Sequence, residues 1–133
     1  RLSELQAAFL EIKLKHLDVE IGIRREIAGR YLSEIKNKRL ILPPSDHINQ
    51  DAWHLFVVRT DHRESFKRFL SGKQIGFDIH YPIPPHKQKA LAEFEKLDLP
   101  ITETIHQTIL SIPLNSTLKE EEIDYIIESL NSY

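Results

Sequence analysis

From Leu2 onward the apolar residues Leu5, Ala8, Phe9, Ile12, Leu17, Ile21, Ile27 and Tyr31 recur mostly at three- to five-residue steps, and no proline intervenes before Pro43. That spacing predicts one long amphipathic helix. Ser3 followed by Gln6 forms a capping-box pattern at its start, and Asn37 is an acceptable stop. A helix of roughly 33 residues runs about 50 Å, longer than a domain of this size needs for its own core. Residues 1–37 are therefore expected to connect two bodies.

Beyond the helix the periodicity changes. Leu40, Ile41 and Leu42 end at Pro43 and Pro44, and Trp53 to Thr60 concentrates aromatic and β-branched residues over a strand-like length. Asp61 with Glu64 predicts a capped helix whose buried face is Phe66, Phe69 and Leu70. Ile75 to Ile79 alternates as a half-buried strand and runs into His80-Tyr81-Pro82-Ile83-Pro84-Pro85-His86, where three prolines forbid regular structure. Lys87 to Leu97 and Ile101 to Gln107 read as short helices, Thr108 to Leu114 as a strand, and Thr117 with Glu120 as the cap of a last helix through Ile123, Ile126, Ile127 and Leu130. Strands separated by helices make residues 38–133 an α/β (α+β) body, with a small sheet of about three to four strands covered by helices.

Composition narrows the partners. The 133 residues are 41% hydrophobic and 29% charged with four glycines, the balance of a folded domain. A formal net charge of -2 offers no broad positive field for a phosphate backbone, and no apolar run reaches the roughly 18 residues needed to cross a bilayer. Neither nucleic acid nor membrane is an expected partner. The absence of cysteine excludes disulfides and thiolate chemistry and fits a reducing, cytoplasmic setting. The chain starts at Arg1 inside a helical pattern and contains no methionine, which reads as a fragment.

Four histidines, His47, His54, His80 and His86, sit near strand ends or loops, where a side chain that titrates near neutrality invites a catalytic reading. No pair has the spacing of a helical zinc motif, so no metal site is expected. His54, beside Trp53 in the expected strand, reads as a packing residue. His80 and Tyr81 are different, since a strand delivers them into a proline-stiffened turn of the kind a preorganised site needs, a pattern that a purely structural turn shares. Arg24 and Arg25, interleaved with Glu20, Glu26 and Glu34, read as a solvated helix face, and the run Glu120-Glu121-Glu122 as carboxylates at a helix N-terminus. No glycine-rich phosphate loop, nucleophile elbow or paired-carboxylate site is present.

Four segments carry a resemblance: Arg1 to Ala8, Trp53 to Arg59, Gly76 through His80-Tyr81-Pro82-Ile83-Pro84-Pro85-His86, and Ile109 to Leu114 followed by Leu118 to Ile127. Their order and approximate spacing resemble the DegT/StrS family of fold type I, pyridoxal-phosphate-dependent sugar aminotransferases over essentially the whole chain. The resemblance implies the small C-terminal domain of a homodimeric enzyme that moves an amino group, usually from glutamate with 2-oxoglutarate as by-product, to a nucleotide-linked keto sugar. A large N-terminal domain would supply the Schiff-base lysine, the aspartate at the pyridine nitrogen and most phosphate contacts, so no catalytic residue is placed on this chain. By the same resemblance, His80, Tyr81 and His86 are expected to contact the sugar nucleotide, and Arg1 to lie near the cofactor at the dimer interface. A sugar dehydratase of the same family, with histidine in place of the lysine, and a non-catalytic regulatory or binding protein keeping the fold remain alternatives.

Overall fold

Ser3 Oγ accepts the Gln6 backbone N–H at 3.2 Å while the Gln6 side-chain oxygen accepts the Ser3 N–H at 3.3 Å, so α1 (Glu4–Leu14) starts at the expected capping box. The computed structural model describes residues 3–46 and 48–133. The single helix expected up to Asn37 is in two pieces, because the Lys15 and His16 N–H groups bond the carbonyls of Ile12 and Lys13 at 3.2 and 3.0 Å. Those three-residue closures tighten the backbone before α2 (Leu17–Glu34) resumes the ordinary ladder. Asn37 then serves the turn beyond the helix: its side-chain oxygen accepts the Arg39 N–H at 3.0 Å and its amide donates to the Leu130 carbonyl at 2.8 Å.

No residue of α1 is buried, and Leu5, Phe9, Leu10, Ile12 and Leu14 are each more than half exposed. The second half of α2 instead enters the core through Ile27, Ala28 and Tyr31, continued by Ile35. Strands β1 (Phe56–Arg59) and β2 (Ile109–Ile112) pair antiparallel, with Phe56 opposite Ile112 and Val58 opposite Leu110. These four side chains share one face and meet α2, α3 (Arg63–Gly72) and α5 (Glu120–Ser132), which contribute Phe66, Leu70, Ile123, Ile126, Ile127 and Leu130.

Among the described residues the expected three to four strands reduce to two. The other two segments make one bridge each, Ile41 to Arg59 on one side and Asp78 to Ser111 on the other. Proline follows both closely, Pro43 after Ile41 and Pro82 after Asp78, and it cannot donate to a ladder. The strand expected from Trp53 starts only at Phe56, because Trp53 sits at φ 46° in the left-handed region. Its indole N–H donates to the Ile48 carbonyl at 2.9 Å and its ring stacks on Phe56 at 5.5 Å, so the turn is anchored from inside.

Two expected caps also move. Asp61 does not cap α3; the N-cap is His62, whose N–H is accepted by the Thr60 hydroxyl at 3.3 Å. Thr117 is occupied by the Asn115 side chain, and the N-cap of α5 is Lys119, whose N–H is accepted by Glu122 at 2.8 Å. The helix expected over Lys87 to Leu97 is two 3₁₀ turns, Pro85–Lys87 and Lys89–Phe94, before α4 (Pro100–Thr108) opens on its proline.

Candidate functional site

Because side chains alternate across a strand, Ser111 lies on the sheet face opposite Leu110 and Ile112. There the edge segment 76–80 crosses β2, with the Asp78 N–H on the Ser111 carbonyl at 3.1 Å and the Ser111 N–H on the Asp78 carbonyl at 2.8 Å. The bridge delivers His80 over Ser111. His80 Nδ1 lies 3.0 Å from Ser111 Oγ, and its Nε2 lies 3.5 Å from Asp78 Oδ2. These residues, with His54 and Leu55 from the turn before β1, line an open cleft of about 320 Å³.

The three loop residues singled out in the sequence play different geometric parts. His80 is partly buried and faces the cleft. Tyr81 is 66% exposed, its ring edge-on to His80 at 5.6 Å, and its carbonyl accepts a hydrogen bond from His106 Nδ1 of α4 at 2.6 Å. His86 is 5% exposed and turned inward, with Nε2 3.0 Å from Glu103 Oε1 of α4. That bond holds the Glu103 carboxyl below the usual carboxylate range; partial burial opposes it, and the Lys87 ammonium at 3.6 Å reinforces it. The proline loop is thus tied to α4 at both ends, through Tyr81 and His86.

His54 is not in a strand. It is exposed, and its carbonyl, with those of Trp53 and Leu114, lies within 3.5 Å of Arg24 Nη1. Arg24 thereby fastens the cleft's near wall to α2, a role its place on a charged helix face did not suggest. Arg1 and His47 lie outside the described residues. Sequence reading passed over Asp78, Ser111, Glu103 and His106. Asp78 was within reach of it, two residues before His80, whereas Ser111 and His106 come from elements whose approach only the fold reveals.

Pyridoxal phosphate, the cofactor that the resemblance implies, requires a lysine amine, an acid for its pyridine nitrogen and a phosphate cradle. No lysine lines the cleft, Asp78 faces His80, and Lys87 is engaged by the Glu95 carbonyl and Glu103. The described residues alone do not fit that group. Among them no cluster of three or more histidines and carboxylates could hold a metal ion, and no helix is long and apolar enough to cross a membrane.

Comparison with known proteins gives one family. The model of the DegT/DnrJ/EryC1/StrS aminotransferase family matches residues 1–131. The dTDP-3-amino-3,6-dideoxy-alpha-D-galactopyranose transaminase of Aneurinibacillus thermoaerophilus is 47% identical over 133 residues, covering 100% of this chain and 37% of that protein. The erythromycin biosynthesis sensory transduction protein EryC1 of Saccharopolyspora erythraea is 37% identical, over 99% of this chain and 37% of its own length. The crystal structure of S. venezuelae DesV in complex with a ketimine intermediate superposes with a TM-score of 0.91 at 34% identity, over 99% of this chain and 36% of that one. The chain thus spans little more than a third of the length of the relatives it matches.

Proposed function

Since the chain belongs to the DegT/DnrJ/EryC1/StrS aminotransferase family, we propose that it is the C-terminal part of a pyridoxal-phosphate-dependent enzyme that transfers an amino group from glutamate to carbon 3 of a nucleotide-linked keto sugar. The observation that carries this reading is the 47% identity, over the entire chain, to a transaminase named for a 3-amino sugar nucleotide. When bound, pyridoxal phosphate supplies the electron sink for amino transfer. The groups that hold it belong to a preceding domain, with Arg1 at the cofactor or dimer interface of a cytoplasmic homodimer.

In this reading residues 1–37 connect the two domains and residues 38–133 form the wall that shapes the sugar pocket. His80 presents a ring nitrogen and Tyr81 a hydroxyl to the sugar nucleotide. His86 takes part through the loop it anchors, since its own Nε2 is engaged by Glu103. The family's dehydratase chemistry and a regulatory role, the latter favoured by the name of EryC1, are the competing readings.

The test uses the full-length protein with pyridoxal phosphate, glutamate and a dTDP-linked 3-keto-6-deoxyhexose, following 2-oxoglutarate release and the amino sugar by mass spectrometry. Amino sugar formation upholds the proposal. A dehydrated sugar formed without glutamate consumption replaces it with dehydration, and sugar-nucleotide binding without turnover replaces it with the regulatory reading. His80→Ala and Tyr81→Phe are expected to raise KM for the sugar or lower kcat while leaving cofactor binding nearly intact.

A further inference from the structure

We propose that Asp78 and Ser111 are positioning residues that hold His80 in one tautomer, with its proton on Nε2, as a hydrogen-bond donor to an oxygen of the sugar. This deepens the function proposed above and rests on it. An imidazole can offer either nitrogen as donor, and which one carries the proton is set by what each nitrogen meets.

At Nε2 the neighbour is the Asp78 carboxylate at 3.5 Å, which only accepts, so a lone pair there would face negative charge and a proton would face attraction. At Nδ1 the neighbour is the Ser111 hydroxyl at 3.0 Å, which can donate. One arrangement satisfies both: Ser111 O–H donates to Nδ1, and the Nε2 proton lies beside the Asp78 carboxylate. Ser111 is 5% exposed, and His80 Nδ1 is the partner its hydroxyl has in the structure, so the ring's far side is fixed from inside the protein.

The two neighbours are not equivalent. A separation of 3.5 Å is longer than a good N–H···O bond, and the Asp78 side chain is 76% exposed, with its other oxygen accepting the Ile79 N–H at 2.7 Å. Asp78 therefore favours a proton on Nε2 by its charge without taking that proton in a hydrogen bond of its own, and the proton stays available to an oxygen entering the cleft. The backbone reinforces the arrangement, since Asp78 and Ser111 exchange both hydrogen bonds of the β-bridge. One pair of residues thus fixes the main chain and the imidazole together. The ligand this suits is an acceptor, a keto or hydroxyl oxygen of the sugar.

The test is made on the full-length protein with ¹⁵N-labelled histidine. The wild type is expected to show His80 protonated at Nε2, identified by loss of its signals in His80→Ala. Ser111→Ala removes the donor to Nδ1 and is expected to give a tautomer mixture. Asp78→Asn keeps the shape at an exposed position, and loss of one weak orienting contact predicts a KM for the dTDP-linked 3-keto-6-deoxyhexose raised about 3- to 10-fold with kcat within about 2-fold. A wild-type His80 protonated at Nδ1 overturns the proposal, as does an Asp78→Asn and Ser111→Ala pair in which tautomer and KM are both unchanged. If the wild type turns over no nucleotide sugar, the proposed function falls and the tautomer measurement still decides the positioning role: protonated Nε2 upholds it, protonated Nδ1 refutes it.

Discussion

Tyr31 is fully buried in the last turn of α2, and its hydroxyl donates to the Pro113 carbonyl at 2.9 Å just past the end of β2. Tyr31→Phe deletes that bond and little else, since the ring's edge-on contact with Phe56 at 5.1 Å and 81° does not involve the oxygen. A neutral buried hydrogen bond is worth about 1 kcal/mol net, and the carbonyl left behind adds its own desolvation cost, so about 1–2 kcal/mol is expected. In native-state hydrogen exchange of the full-length protein, the β1 and β2 amides should then exchange about 5- to 30-fold faster.

A second consequence follows from the environment of the same oxygen. Burial pushes the Tyr31 phenol up from its ordinary value, with the Arg30 charge pulling weakly the other way. A group raised on folding stabilises the native state below its unfolded pKa, about 10 for tyrosine, and that contribution is lost as pH climbs through the folded value. The wild type should therefore weaken above about pH 10 along a slope that Tyr31→Phe lacks. Unchanged exchange at neutral pH, or identical alkaline slopes in the two proteins, would refute the reasoning.

Three further outcomes are expected. Glu103, lowered chiefly by its bond to His86, should stabilise the loop above the ordinary carboxylate range and lose that effect as pH falls through its folded pKa, so Glu103→Gln should loosen exchange around Tyr81 to Lys87 at neutral pH and abolish the acid slope. Arg30 binds Glu34 twice at 2.7 and 2.9 Å, Asp124 at 2.7 Å and Glu120 at 3.0 Å, pinning α2 to α5; the drop in thermal midpoint caused by Arg30→Ala should shrink as salt rises to about 1 M, where the Debye length is about 3 Å. Glu122→Ala, by stranding the Lys119 N–H, should cost about 0.5–1 kcal/mol, read as faster exchange confined to the first turn of α5.

The order of elements was legible because each carries its own local signal. Ser3 and Gln6, Pro100 and the Ile123 to Leu130 periodicity all depend on residues within a turn or two of one another. What the sequence concealed depended on competition between near neighbours or on contact between distant ones. Asp61 and Thr117 are both good caps by residue type, and each lost to a neighbour's geometry, Thr60 in one case and Asn115 in the other. The candidate site divides in the same way: His80 and Tyr81 announced themselves beside prolines, while Ser111, in a fully buried strand, looked like any small core residue until the Asp78 bridge brought His80 over it.

The sheet described here is only two strands wide, flanked by single bridges at Ile41 and Asp78. An open pair of strands is ordinarily a template on which other chains can polymerise through free N–H and C=O groups. Here each flank is capped by a segment too short to propagate pairing, followed within four residues by proline, and one flank carries the Asp78 carboxylate. The sheet is self-terminating: the irregularity that delivers His80 to the cleft also keeps the sheet from growing edge to edge.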